Sequence, residues 1–217
     1  MEKAIKTRPT YTLGEELFNS ISHGVGTLLA IAGCVVAIVT AAHSGSVAKV
    51  VGASIYGAGL IILFLMSTLY HALANDKAKK VFRVFDHTSI YILIACSYTP
   101  ITLVTLNGAL GWTIFGIVWG VSILGIVLNS VSIEKFKKFS MISYLALGWL
   151  IVPAIMPLVR SLHTNGLILL VLGGIMYTLG FIFYKMKNKR YMHSIWHMFV
   201  LAGAILQYFC ILLYVVK

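Results

Sequence analysis

The stretch "YMHSIWHMFV", Tyr191 to Val200, sets His193 and His197 four residues apart where a basic loop gives way to an apolar run. Residues i and i+4 share one helix face, so both imidazoles can turn toward a single ion, the device that zinc enzymes build from two histidines on one helix. A second stretch, "STLYH", repeats the spacing with Ser67 and His71, and Asp86 follows in "FDHTSI". Three histidines are the donors of a tetrahedral Zn²⁺ site that keeps one position for water, with a carboxylate beside that water or in its place. The competing reading is a hydrogen-bonded polar collar where helices leave a membrane.

The elements that must position these groups are membrane helices. Of 217 residues, 59% are hydrophobic and 11% charged, with a mean hydropathy of +0.94. A soluble domain is about 45–50% apolar. Runs long enough to cross about 30 Å of hydrocarbon lie at about 22–42, 48–71, 87–106, 109–129, 140–159, 164–184 and 193–215. The expectation is an all-α, multi-pass protein of the cell membrane, one seven-helix domain over residues 1–217. The separators are short, and no internal repeat points to an inverted-repeat transporter. The opening "MEKAIKTRPTYTLGEELFNS" is too polar for a signal-peptide core, so the chain is expected to remain in the membrane. Cys34, Cys96 and Cys210 sit singly in separate apolar runs and read as small buried hydrophobes.

Lysine and arginine fix an expected orientation. Lys3, Lys6 and Arg8 share a side with Lys77, Lys79, Lys80 and Arg83, with Lys135, Lys137 and Lys138, and with Lys185, Lys187, Lys189 and Arg190. Only Lys49, Arg160 and Lys217 fall on the other. By the positive-inside rule the N-terminus is cytoplasmic and, after seven spans, the C-terminus outside. The formal charge of +11 is then loop charge facing anionic headgroups, with membrane lipids as partners and no nucleic acid. A G-protein-coupled receptor has the opposite orientation. A retinal protein needs a Schiff-base lysine within a late helix, and the seventh span has none before Lys217.

With that topology His71, Asp86, His87, His193 and His197 reach one membrane level, together with Glu15, Glu16, Asn19, Ser22 and His23 of "LGEELFNSISHG". Ionisable groups there are costly unless partnered, and a collar does not explain two i, i+4 pairs at one depth. His43 and His163 lie in outer loops without acidic neighbours and read as solvated. Pro100, Pro153 and Pro157 are placed to kink the third and fifth helices and open a cavity. Gly52, Gly57 and Gly59 permit close helix packing, within one chain or between chains. Oligomeric state is not assigned by any of these features.

"EELFNSISHG", "STLYHAL", "FDHTSIYILIACSYTP" and "HSIWHMF", four ordered motifs on four helices, resemble the bacterial hemolysin III family, a branch of the progestin and adipoQ receptors that include the adiponectin receptors. The resemblance covers essentially the whole chain. It implies seven helices with a cytoplasmic N-terminus and a zinc ion near the cytoplasmic face. Carried over residue by residue, it implies His71, His193 and His197 as ligands, with Asp86 and Ser67 near a water on the metal. Glu16, Asn19 and His23 match the first-helix signature. No ligand-binding ectodomain accompanies these motifs, so hormone reception does not transfer.

Three functions follow as expectations. One is a zinc-dependent hydrolase of a lipid amide, with Asp86 orienting or deprotonating water and Ser67 donating a hydrogen bond. Another is membrane permeabilisation, the cytolysis of the family name, with a structural zinc. The third is a sensor of lipid state whose zinc site is closed by Asp86 as fourth ligand.

Overall fold

A computed structural model describes residues 11–186 and 189–217. Four of the basic residues used for orientation, Lys3, Lys6, Arg8 and Lys187, lie outside the described residues. The described residues are helical throughout, with no strand: α1 (Leu13–His43), α2 (Val47–Ala72), α3 (Asp76–Pro100), α4 (Gly108–Val131), α5 (Ile133–Gly148), α6 (Ile155–Ser161), α7 (Thr164–Lys185) and α8 (Met192–Ile211). Pi-helical turns continue α3 over Ile101–Leu106 and α8 over Leu212–Val216. Counting α5 and α6 as one broken span, seven helical segments are long and apolar enough to cross a membrane.

Several helices begin well before their apolar runs. The first starts at Leu13, the third at Asp76 and the fifth at Ile133, because capping residues sit there. Thr12 forms a capping box with Glu15, Asn75 accepts from Lys77 and Ala78, and Ser132 accepts from Lys135. These added turns are polar on one side, which hydropathy alone does not register.

The bundle is apolar outside, and its interior mixes an apolar core with polar side chains. Leu28, Val131 and Ile142 are about 70% exposed and face the position of lipid tails. Asn19, His23, Ser67, His71, Asp86, Ser122 and His197 are buried. Lipid offers no hydrophobic drive between helices, so small residues and interhelical hydrogen bonds hold the bundle. A side chain at Gly57 would strike Cys34 of α1, and one at Gly59 would strike Cys96 of α3. At Gly52 a Cβ would stand 3.0 Å from the Pro100 backbone. These glycines therefore serve packing within the chain. All three cysteines are free.

The fifth span is broken between α5 and α6, where a 3-10 turn (Val152–Ala154) carries Pro153 and α6 carries Pro157. Proline removes a backbone donor, and broken helices survive at membrane depth only if the freed groups find partners. Tyr98 of α3 supplies them: its hydroxyl donates to the Leu147 carbonyl at 2.7 Å and accepts from the Ile151 N–H at 3.1 Å. Beside the break lies a cavity of about 100 Å³ between α3, α5–α6, α7 and α8, which shares Tyr98, Trp149 and Gln207 with a larger cavity of about 150 Å³ toward the histidine end.

Candidate metal centre

The site is assembled where α1, α2 and α8 meet. Ser67 and His71 sit one turn apart at the end of α2, and both are buried. His193 and His197 occupy the first turns of α8. That helix starts after Tyr191, a non-glycine residue with a left-handed φ of 61°. Such a backbone persists only when its surroundings enforce it. Here the Tyr191 N–H donates to Glu15 Oε1 at 2.7 Å, and Glu15 is itself fixed by accepting from the Thr12 N–H at 2.8 Å. The capping box of α1 thus also anchors the turn that aims α8.

One ring nitrogen each of His71, His193 and His197 lies within 4.8 Å of the others, so the three can hold a metal ion. The Nε2 atoms of His193 and His197 are 3.1 Å apart. Two imidazole nitrogens on one tetrahedral ion stand about 3.4 Å apart, given metal–nitrogen distances of about 2.0–2.1 Å. His71 is prepared by Glu16: Nδ1 donates to Glu16 Oε2 at 2.6 Å, which leaves Nε2 as the lone-pair nitrogen. That Nε2 is buried and makes no hydrogen bond. A carboxylate behind a histidine, with the far nitrogen presented inward, is the usual outer-shell arrangement of metal-binding histidines. The donor set and the orphaned nitrogen fit a divalent ion that prefers imidazole.

Glu16 has a second partner, Lys79, whose Nζ donates to Oε1 at 2.6 Å. One carboxylate therefore links α1, the last turn of α2 and the first turns of α3. Tyr11 covers the cluster from the α1 side, with ring centroids 5.5 Å from His71 and 4.8 Å from His193. Burial, reinforced by Tyr70, Tyr184, Asp86 and Glu16, pushes the Tyr11 phenol well above its usual range, so it remains a neutral hydrogen-bonding group.

Asp86 is buried on α3 and stands outside the three-histidine group. It lines the larger cavity with Ser67, His23 and Trp196. The Ser67 hydroxyl is buried without a hydrogen bond. His87, next along, stays beside the Asp86 carboxylate, its Nδ1 donating to the Arg83 carbonyl at 3.0 Å and lying 3.6 Å from Asp86 Oδ2. His23 stacks on His197 with centroids 3.7 Å apart, and neither of its ring nitrogens is hydrogen-bonded. Asn19 is wholly buried with both amide atoms unpaired. Of the two remaining histidines, both exposed, His43 meets the Val39 carbonyl at 2.7 Å and His163 caps α7 by accepting from the Asn165 N–H at 3.2 Å.

Three features escape sequence reasoning: Tyr11 as the cover, Glu15 as the latch on α8, and Glu16 as the partner of His71. The sequence puts Glu15 and Glu16 at the level of the histidines, and Glu16 in the first-helix signature, but gives neither a partner; the acidic pair in "LGEEL" by itself reads as a favourable first helical turn.

A seven-span helical bundle with three histidines able to hold a metal ion beside an apolar cavity defines a class of integral membrane protein. The model of the family described as "Haemolysin-III related" matches residues 11–208, and the chain belongs to that family. It is 42% identical over 209 residues to "Hemolysin-3" of Bacillus cereus, covering 96% of this chain and 95% of that one. It is 43% identical over 207 residues to the "Hemolysin-3 homolog" of Bacillus subtilis (strain 168), covering 95% and 97%. The human "Monocyte to macrophage differentiation factor" is 32% identical over 170 residues, 75% of this chain and 70% of the relative. No solved structure matches.

Proposed function

We propose that the protein is a zinc-dependent hydrolase of lipid amides, with its N-terminus and metal centre at the cytoplasmic face. The observation that carries this reading is what surrounds the triad: His71, His193 and His197 converge, and their neighbours His23, stacked on His197, and Ser67, one turn from His71, share the wall of a cavity with Asp86. A purely structural ion needs no adjoining cavity. Zinc supplies Lewis acidity and makes water reactive near neutral pH.

The protein's own groups have separable tasks in this scheme. Glu16 keeps the His71 proton on Nδ1 and so holds Nε2 ready as a donor. Asp86 takes the proton from the attacking water and returns it to the leaving amine. Ser67 donates to the substrate carbonyl oxygen as negative charge grows there. The joined cavities accept an acyl chain between α3, α5, α7 and α8, and Tyr11 limits entry of bulk water above the triad. Purified wild-type protein is expected to release fatty acid from a ceramide, while Asp86→Asn retains zinc and loses at least about 100-fold in rate, the scale of one general base. An Asp86→Asn variant as active as wild type contradicts the assignment.

A second reading has one specific support, the name "Hemolysin-3" carried by the Bacillus cereus relative. Membrane permeabilisation, with zinc only bracing α2 against α8, predicts dye leakage from liposomes that persists in His193→Ala. Leakage absent from wild type removes this reading.

A further inference from the structure

Gln207 lies near the middle of the last span, Met192–Val216, and lines both cavities. Its stem rests on α7, where a Cβ at Gly173 would stand 2.7 Å from Gln207 Cγ. Three other polar side chains near this junction are satisfied internally. Ser97 donates to the Ile94 carbonyl at 2.9 Å and Thr178 to the Gly174 carbonyl at 2.8 Å, while the Trp149 indole N–H donates to Thr178 Oγ1 at 3.0 Å. Tyr98 is occupied by the broken helix. Among the described residues Gln207 makes no hydrogen bond, yet it carries two donors and an acceptor at hydrocarbon depth, where an unpaired amide is costly.

From these observations we infer that Gln207 is a specificity determinant that reads a hydrogen-bonding group partway along the acyl chain of the bound lipid. This deepens the lipid-hydrolase reading and rests on its acyl-chain cavity. Position sets the chemistry. Gln207 is ten residues beyond His197 on α8, about 15 Å along the axis at about 1.5 Å per residue. A bond of an extended chain covers about 1.2 Å, a third of the span of an extended residue. A head group at the triad therefore brings roughly the twelfth chain atom level with Gln207. The preferred ligand is a long-chain lipid hydroxylated near mid-chain, its hydroxyl exchanging hydrogen bonds with the carboxamide.

Equilibrium competition for radiolabelled stearic acid on the detergent-purified protein tests this, with stearic acid hydroxylated at the twelfth carbon, stearic acid hydroxylated at the second carbon, and plain stearic acid as competitors. The expected result is about five-fold tighter competition by the twelfth-carbon hydroxy acid than by stearic acid, the size of one net neutral hydrogen bond. The second-carbon isomer gains nothing at Gln207, so its competition relative to stearic acid is the same in wild type and in Gln207→Leu. That variant elutes as the same folded species as wild type, binds stearic acid at least as tightly because no unpaired amide is buried against the chain, and loses the mid-chain preference. Stearic acid bound without preference, or a preference that survives in Gln207→Leu, overturns this inference alone. No displaceable stearic acid on wild type overturns the acyl-chain cavity, and this inference with it.

Discussion

Glu16 stands at the centre of the residue-scale account. Its two oxygens accept from His71 and Lys79 at 2.6 Å each, so a single carboxylate sets a tautomer and ties down the start of α3. Loss of an outer-shell partner typically lowers metal affinity by about 10–100-fold. Glu16→Gln should weaken zinc binding by that range, measured by competition with a calibrated chelator, while Glu16→Ala should be at least as damaging. Unchanged affinity in both would remove Glu16 from the site. The candidate ligands themselves are legible from the sequence because i, i+4 spacing is a property of one helix. Glu16 is not, since its partner His71 is 55 positions away and nothing in the local pattern of α1 encodes that meeting. Tyr11 is hidden for the same reason: its packing on His71 and His193 arises only when three separate chain segments converge.

Among the elements, the broken fifth span separates what hydropathy can and cannot reveal. Pro153 and Pro157 announce a disruption, and a cavity does lie beside it. The repair comes from a different helix. Tyr98→Phe keeps the ring and removes the hydroxyl that serves Leu147 and Ile151; the Leu147 carbonyl keeps the Leu150 N–H at 3.2 Å, but the half-buried Ile151 N–H loses its partner. That should lower stability by about 1–3 kcal/mol, seen as an earlier thermal unfolding in detergent with zinc content unchanged. The neighbouring Tyr91 to Ser143 hydrogen bond at 2.6 Å joins the same pair of helices, α3 and α5, without touching the break. Tyr91→Phe therefore provides a comparison that loses an interhelical bond but no backbone repair, and should be milder. The starts of α1, α3 and α5 show the converse limit: caps such as Thr12, Asn75 and Ser132 are readable as residues, but they lie outside the apolar windows that define spans.

For the whole molecule, the seven spans and the family leave the direction of insertion to the charge pattern. Lys49 and Lys217, two of the three basic residues expected outside, lie together at one end, Lys49 Nζ donating to the Lys217 carbonyl at 2.6 Å. By the positive-inside rule that end is expected outside and the histidine triad at the cytoplasmic face. Alkaline phosphatase fused after Lys217 should therefore be active in intact bacteria, and a fluorescent protein fused there should be dark. The reverse pair of signals would invert the topology and put the metal centre outside the cell.

The central claim is that His71, His193 and His197 hold one zinc ion. Metal content by mass spectrometry tests it most directly, on protein purified in detergent without chelator or histidine tag, for wild type and for the His193→Ala, His197→Ala double variant. About one zinc per wild-type chain is expected, and none in a double variant that elutes as the same folded species. Metal-free wild type, or zinc retained in full by the double variant, contradicts the claim.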